Sequence, residues 1–199
     1  MTLIIVLVTA VVSIVCFGNR ELFYKLACMP WRMVRDNEWW RIVTHGFVHA
    51  DWMHLLVNMF TFYSFGLYIE QYFAMLGFGR GAFFFLYFGG MIAASLYDVW
   101  KYRNDVYYTS IGASGAVSAV LFASIFLDPW NKIYLFAAVP IPGILFGVVY
   151  LFYCQYMAKR GGDNINHNAH FWGAVYGFVF PVLLRPDLLQ FFLRQLLGR

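Results

Sequence analysis

Six apolar stretches, at residues 3–17, 55–68, 82–96, 111–127, 134–157 and 169–184, constrain this chain more than any other feature. With 62% hydrophobic and only 12% charged residues, far below the roughly one-quarter charged content of soluble domains, the chain belongs in a bilayer. Some stretches are shorter than the roughly 20 residues a spanning helix needs, but each continues into aromatic or amide flanks suited to the interface. Trp39, Trp40, Trp52, Trp100, Trp130 and Trp172 stand near their ends, at the boundary an amphipathic ring prefers. The expected fold is an all-α membrane protein whose six transmembrane helices form one domain over residues 1–199.

The first stretch lacks the basic flank of a signal peptide and other spans follow it, so it reads as a retained span. Cys16, Cys28 and Cys154 are scattered and indicate neither disulfides nor a thiolate metal site. The formal charge of +4 fits contact with membrane lipids, and there is no nucleic-acid patch. Residues 18 to about 50 are expected as a compact first loop, partly embedded in the interface. Residues 186–199, with Arg194 and Arg199 among leucines and phenylalanines, are too few to span. They read either as an interfacial amphipathic tail or as a final partner helix at the protein edge.

Polar residues inside spans are costly and are functional suspects by default. In "DWMHLLVNMF" Asp51 is placed to cap the second span, while His54 and Asn58, at i and i+4, share one face. Ser114 near the start of the fourth span and His170 near the start of the sixth complete the set. Consecutive spans alternate in direction, so the second, fourth and sixth begin on the same side. At about 1.5 Å per residue all four groups lie roughly 5 to 10 Å below the helix starts. Gly112, Ala113, Gly115, Ala116 and Ala119 leave the head of the fourth span nearly bare, and Ala169, Gly173 and Gly177 recur every four residues on the sixth. Such stripes let helix backbones approach closely.

The chemistry available to this set is acyl transfer. A serine hydroxyl needs a base to take its proton, and His170 is the titratable group at that depth on a neighbouring span. Asp and Glu are absent from the inner turns of the fourth and sixth spans, so the expectation is a dyad of Ser114 and His170. The Ser114 backbone N–H, unpaired at a helix start, and the side chains of His54 and Asn58 would stabilise the oxyanion.

"GASG" at 112–115, "AHFWGAVYG" at 169–177 and "THGFVHADWMHLLVN" at 44–58 resemble the three signature regions of rhomboid intramembrane serine proteases, in the right order and over nearly the whole chain. The resemblance implies a six-helix rhomboid-like bundle with Ser114 as nucleophile, His170 as general base, and His54 with Asn58 as oxyanion donors. Trp40-Arg41 resembles the family's first-loop motif, whose arginine organises the loop, and Glu70 resembles a structural acid at the far end of the second span. Transmembrane proteins would be the substrates, with a preference for small residues at the cleaved bond and for helices that unwind easily. A bacterial inner membrane is the expected location, with neither cofactor nor metal. One departure is visible: many family members carry an aromatic residue one turn after the nucleophile, packed on the catalytic imidazole, whereas this chain has Ser118. Trp172, Phe171 or a neighbouring aromatic would then orient the ring. The family's topology opens the site to the extracytoplasmic side, while the surplus of Lys and Arg in the loops on that side votes for the cytoplasm.

Three rivals compete. His45 and His49 have the i, i+4 spacing of a zinc-binding helix, but Gly46 stands where a metalloprotease needs its glutamate. His45, His49 and His167 read better as histidines bonded to backbone or water. A rhomboid-like protein that binds membrane helices without cleaving them would be expected to lack Ser114 or His170. A small transporter would show an inverted repeat or an intramembrane carboxylate, and neither is evident.

Overall fold

The computed structural model describes residues 1–135 and 138–198. In chain order its elements are helix α1 (Thr2–Gly18), then α2 (Arg20–Leu26), α3 (Pro30–Arg35), α4 (Arg41–Thr44) and a 3-10 turn (His45–Phe47) in the first loop. The long helices α5 (Trp52–Met75), α6 (Arg80–Tyr102) and α7 (Ser114–Leu127) follow. A hairpin of β1 (Lys132–Leu135) and β2 (Val139–Pro142) leads to α8 (Gly143–Arg160), α9 (His167–Leu184) and α10 (Leu188–Leu197). Side-chain caps start several helices: Asp51 accepts from the His54 N–H at 2.8 Å on α5, and Asn166 from the Ala169 N–H at 3.0 Å on α9.

α7 is the centre of the bundle. Every residue from Gly115 to Leu127 is buried, enclosed mainly by α5, α6 and α9. The contact with α9 is close because Gly173 faces the Gly115 carbonyl and Gly177 the Ala119 carbonyl, positions that a β-carbon would occupy. The outer faces of the bundle are apolar: Leu7 on α1, Phe60 on α5 and Phe152 on α8 are 65%, 69% and 75% exposed. A surface so apolar around a core that holds Asn58, Ser95 and Asp98 is suited to lipid rather than water.

Each of the six apolar stretches contains a helix, but two expectations need correction. Among the described residues only α6 is, by length and composition, long and apolar enough to cross a membrane alone; α9 and α10 pass together, bent by 117°. The 14 residues of α7 reach about 21 Å, short of a hydrocarbon core about 30 Å thick. Helix lengths therefore do not establish the six crossings. Second, the stretch at 134–157 is not one helix. Its first part belongs to the hairpin, with Tyr134 opposite Pro140 and Leu135 opposite Val139, because Pro140 and Pro142 cannot donate helical hydrogen bonds. The tail follows the second of its two readings, a partner helix packed at the protein edge. Leu188 and Phe192 are buried, the Phe192 ring stacks on Phe126 at 4.9 Å, and Gln195 Nε2 donates to the Leu127 carbonyl at 2.9 Å. Leu189, Leu193 and Leu197 remain outside. Arg199 lies outside the described residues.

Candidate active site

The backbone before α7 is set by Gly112, whose φ of 106° lies where only glycine is unstrained. Its N–H donates to the His45 carbonyl at 3.0 Å, and the next N–H, of Ala113, donates to His49 Nε2 at 3.4 Å. Ser114 is therefore the first helical residue, half-buried, with its own N–H among those that lack an intrahelical partner. Beyond it opens a cavity of about 1060 Å³, lined by Ser114 and Ser118 of α7, His54 and Asn58 of α5, Tyr150 of α8 and His170 of α9. The structure thus brings the four suspect residues from three helices to one cleft.

Their protons are partly assigned by their neighbours. The Ala50 N–H donates to His54 Nδ1 at 3.4 Å, which leaves the proton of the neutral ring on Nε2. That nitrogen lies against Gly112, where an added β-carbon would come within 2.8 Å of it. Asn58 is buried, and its Nδ2 donates one hydrogen to the His54 carbonyl at 2.9 Å; the amide has a second to give. His54 and Asn58 thus carry N–H groups on the face of α5 that lines the cleft shared with Ser114.

The aromatic beside His170 is Tyr150 of α8, the neighbouring aromatic rather than Trp172 or Phe171. Tyr150 lies parallel to the imidazole, with centroids 6.3 Å apart and planes at 14°, within the range of offset stacking. Its phenolic oxygen is 3.2 Å from Ser118 Oγ. The neighbouring helix thus places an aromatic ring beside the imidazole, and Ser118 hydrogen-bonds its hydroxyl. Trp172 instead packs on Tyr97 at 6.4 Å and is 41% exposed, and Phe171 contacts Trp172. A tyrosine in the fifth apolar stretch was the available signal, but nothing in the sequence says which way it faces.

The remaining residues have structural partners. Arg41 is buried, and its guanidinium reaches Glu38 at 2.6 Å and the carbonyls of Tyr24 and Ala27 at 2.7 and 2.8 Å, tying the first loop into one unit. Glu70 accepts from the Thr2 N–H at 3.0 Å and pairs with the Met1 amine, joining α5 to α1. His45 uses both ring nitrogens, on the Arg41 carbonyl at 2.9 Å and Ser95 Oγ at 3.2 Å. His49 does likewise, with Ser13 Oγ at 2.9 Å beside its bond to Ala113. The pair therefore offers no free nitrogen to a shared metal. His167 bonds the Asp163 carboxylate at 3.0 Å. Sequence reasoning also missed an acid: Asp98 of α6 is buried and accepts from Asn166 Nδ2. Asn166 also reaches Ser110 Oγ at 3.1 Å while capping α9. Asp98 stands behind the cap, and neither it nor Asp163 bonds His170.

The family model described as Rhomboid domain matches residues 36–187. This chain belongs to the rhomboid family. It is 29% identical over 160 residues to RHOMBOID-like protein 12, mitochondrial, of Arabidopsis thaliana, covering 75% of this chain and 48% of the relative. To Rhomboid protein 1, mitochondrial, of Saccharomyces cerevisiae it is 33% identical over 145 residues, covering 70% and 40%. To YdcA of Bacillus subtilis, named as a candidate rhomboid protease, it is 28% identical over 153 residues, covering 75% and 69%. The chain spans about half the length, or less, of the two organellar relatives. Rhomboid proteins are integral membrane proteins, as the apolar exterior requires. Relatives named for mitochondria give no support to the bacterial inner membrane expected from the sequence.

Proposed function

We propose that this rhomboid protein is an intramembrane serine endopeptidase that crosses the membrane six times, through α1 and α5 to α9, and cleaves peptide bonds in or near transmembrane helices. The observation that carries the reading is the convergence of Ser114, His170, His54 and Asn58 on one cleft. Ser114 Oγ attacks the scissile carbonyl while His170 takes its proton. The oxyanion is held by the Ser114 N–H, His54 Nε2–H and the second Asn58 Nδ2–H, aided by the positive end of α7. His170 then returns the proton to the leaving amine, and water entering the cleft repeats the sequence on the acyl-enzyme. Tyr150 keeps the imidazole in its plane. Met53 and Val57 of α5 and Phe146 of α8 line the same cleft, walls that accept the apolar side chains of a partly unwound helix. The membrane lipids are its solvent, and its substrates are other membrane proteins.

The test is a cleavage assay with purified protein in vesicles, paired with a serine-reactive phosphonate. Ser114→Ala and His170→Ala should each abolish cleavage, and Ser114→Ala should abolish labelling. Cleavage by Ser114→Ala at the rate of the unaltered protein would end the proposal.

A further inference from the structure

Beside the cleft, Cys154 of α8 and His167 and His170 of α9 each offer a ligand atom, and the three atoms lie within 4.8 Å of one another. Cys154 is fully buried and His167 nearly so, while His170 reaches the cavity. His167 is the telling member. Its Nε2 is fixed by the two Asp163 oxygens at 3.0 and 3.2 Å, and its Nδ1 is buried with no hydrogen-bond partner among the described residues. A histidine held by a carboxylate through one nitrogen, with the other bare, is arranged as metal-ligating histidines are. The carboxylate sets the tautomer, so that Nδ1 carries a lone pair rather than a proton.

We propose that Cys154, His167 and His170 bind a zinc-class divalent ion, with water from the cleft as fourth ligand, and that this ion reversibly switches off the hydrolytic site. The donor set selects the metal: one thiolate and two imidazoles suit zinc and do not suit magnesium or calcium. Ligand atoms around tetrahedral zinc stand about 3.5 Å apart, so closing the cluster takes side-chain rotation of about 1 Å. On binding, the Cys154 thiol releases its proton to water, and both imidazoles bind as neutral rings. The lone pair of His170 is then committed to the ion and cannot accept the Ser114 proton. The switch rests on the reading of His170 as the general base; the binding site does not. No metal is expected from the sequence, because Cys154 lies on a different helix from His167 and His170 and only the packing of α8 on α9 joins them.

Cobalt(II) is the probe for the site, titrated into the purified full-length chain in detergent and read by its thiolate charge-transfer absorption. The unaltered protein should bind one ion per chain, displaced by zinc and removed by EDTA. Cys154→Ser and His167→Gln should lose the band, and Asp163→Asn should weaken binding by about 10- to 100-fold. Ser114→Ala should keep the band, so this readout stands whether or not the protein is a protease. In the cleavage assay zinc should inhibit the unaltered protein and EDTA restore it, while Cys154→Ser should cleave at the unaltered rate and resist zinc. Absence of a thiolate band, or an equal band in Cys154→Ser, overturns the site. A band without inhibition of Ser114-dependent cleavage overturns the switch.

Discussion

Tyr150 couples three helices through one ring: its face meets His170 of α9, its hydroxyl meets Ser118 of α7, and its backbone belongs to α8. An aromatic contact of this type contributes roughly 0.5–1.5 kcal/mol, so Tyr150→Ala should lower kcat by up to about tenfold while moving KM little. Tyr150→Phe keeps the ring and loses only the Ser118 tether, and should fall between the two. A matching fall in Ser118→Ala would show that the tether acts through the ring. In the proposed mechanism Asn58 acts on the oxyanion rather than on substrate binding. Asn58→Ala should therefore reduce kcat by about 10²- to 10³-fold, and steady-state kinetics that show a rise in KM alone would remove it from the oxyanion site.

At the scale of elements, the contact between α7 and α9 decides whether the site exists. A β-carbon at Gly173 would meet the Gly115 carbonyl, which is backbone and cannot rotate away. Gly173→Ala should destabilise the fold by about 1–3 kcal/mol, seen as a lower thermal midpoint in detergent together with reduced cleavage. Gly112→Ala is different in kind. The left-handed backbone costs about 1–3 kcal/mol for any other residue, and the added carbon would press on the His54 ring. Its activity should fall further than its stability, since the strain lands on His54, the oxyanion donor of the proposed mechanism.

Across the whole molecule, His49 ties α1 through Ser13 to the backbone that opens α7. It stands in the loop before α5, and burial pushes its pKa from 6.5 down to about 3, reinforced by His54 and by His45 against the opposing charge of Asp51. The folded protein thus favours neutral His49, whose Nε2 must be unprotonated to accept from Ala113. A depressed histidine pKa contributes stability that is complete above 6.5 and is lost as pH falls toward 3, where the unfolded chain binds the extra proton. The thermal midpoint should drop across that window, and more steeply in the unaltered protein than in His49→Gln. Parallel slopes would assign the acid sensitivity to other groups.

The sequence by itself determined the apolar segments, the capping of α5 by Asp51 and the glycine that opens α7, because composition, local hydrogen bonding and backbone sterics act within a few residues. It also carried the motifs that mark the family. Chain parity placed Ser114, His170, His54 and Asn58 at a common depth, and the cleft they share followed from the packing of α5, α7 and α9. Other features were decided only by tertiary structure. The pairing of β1 with β2 replaced helix, α10 packed against α7, and Asp98 came to lie behind the Asn166 cap. The partner of His170 and the convergence of Cys154 with His167 and His170 depend on how α8 is rotated against α9. An exterior of lipid-facing side chains leaves that rotation undetermined by hydrophobic pattern, since α8 is apolar on its outer face as well as toward its neighbours.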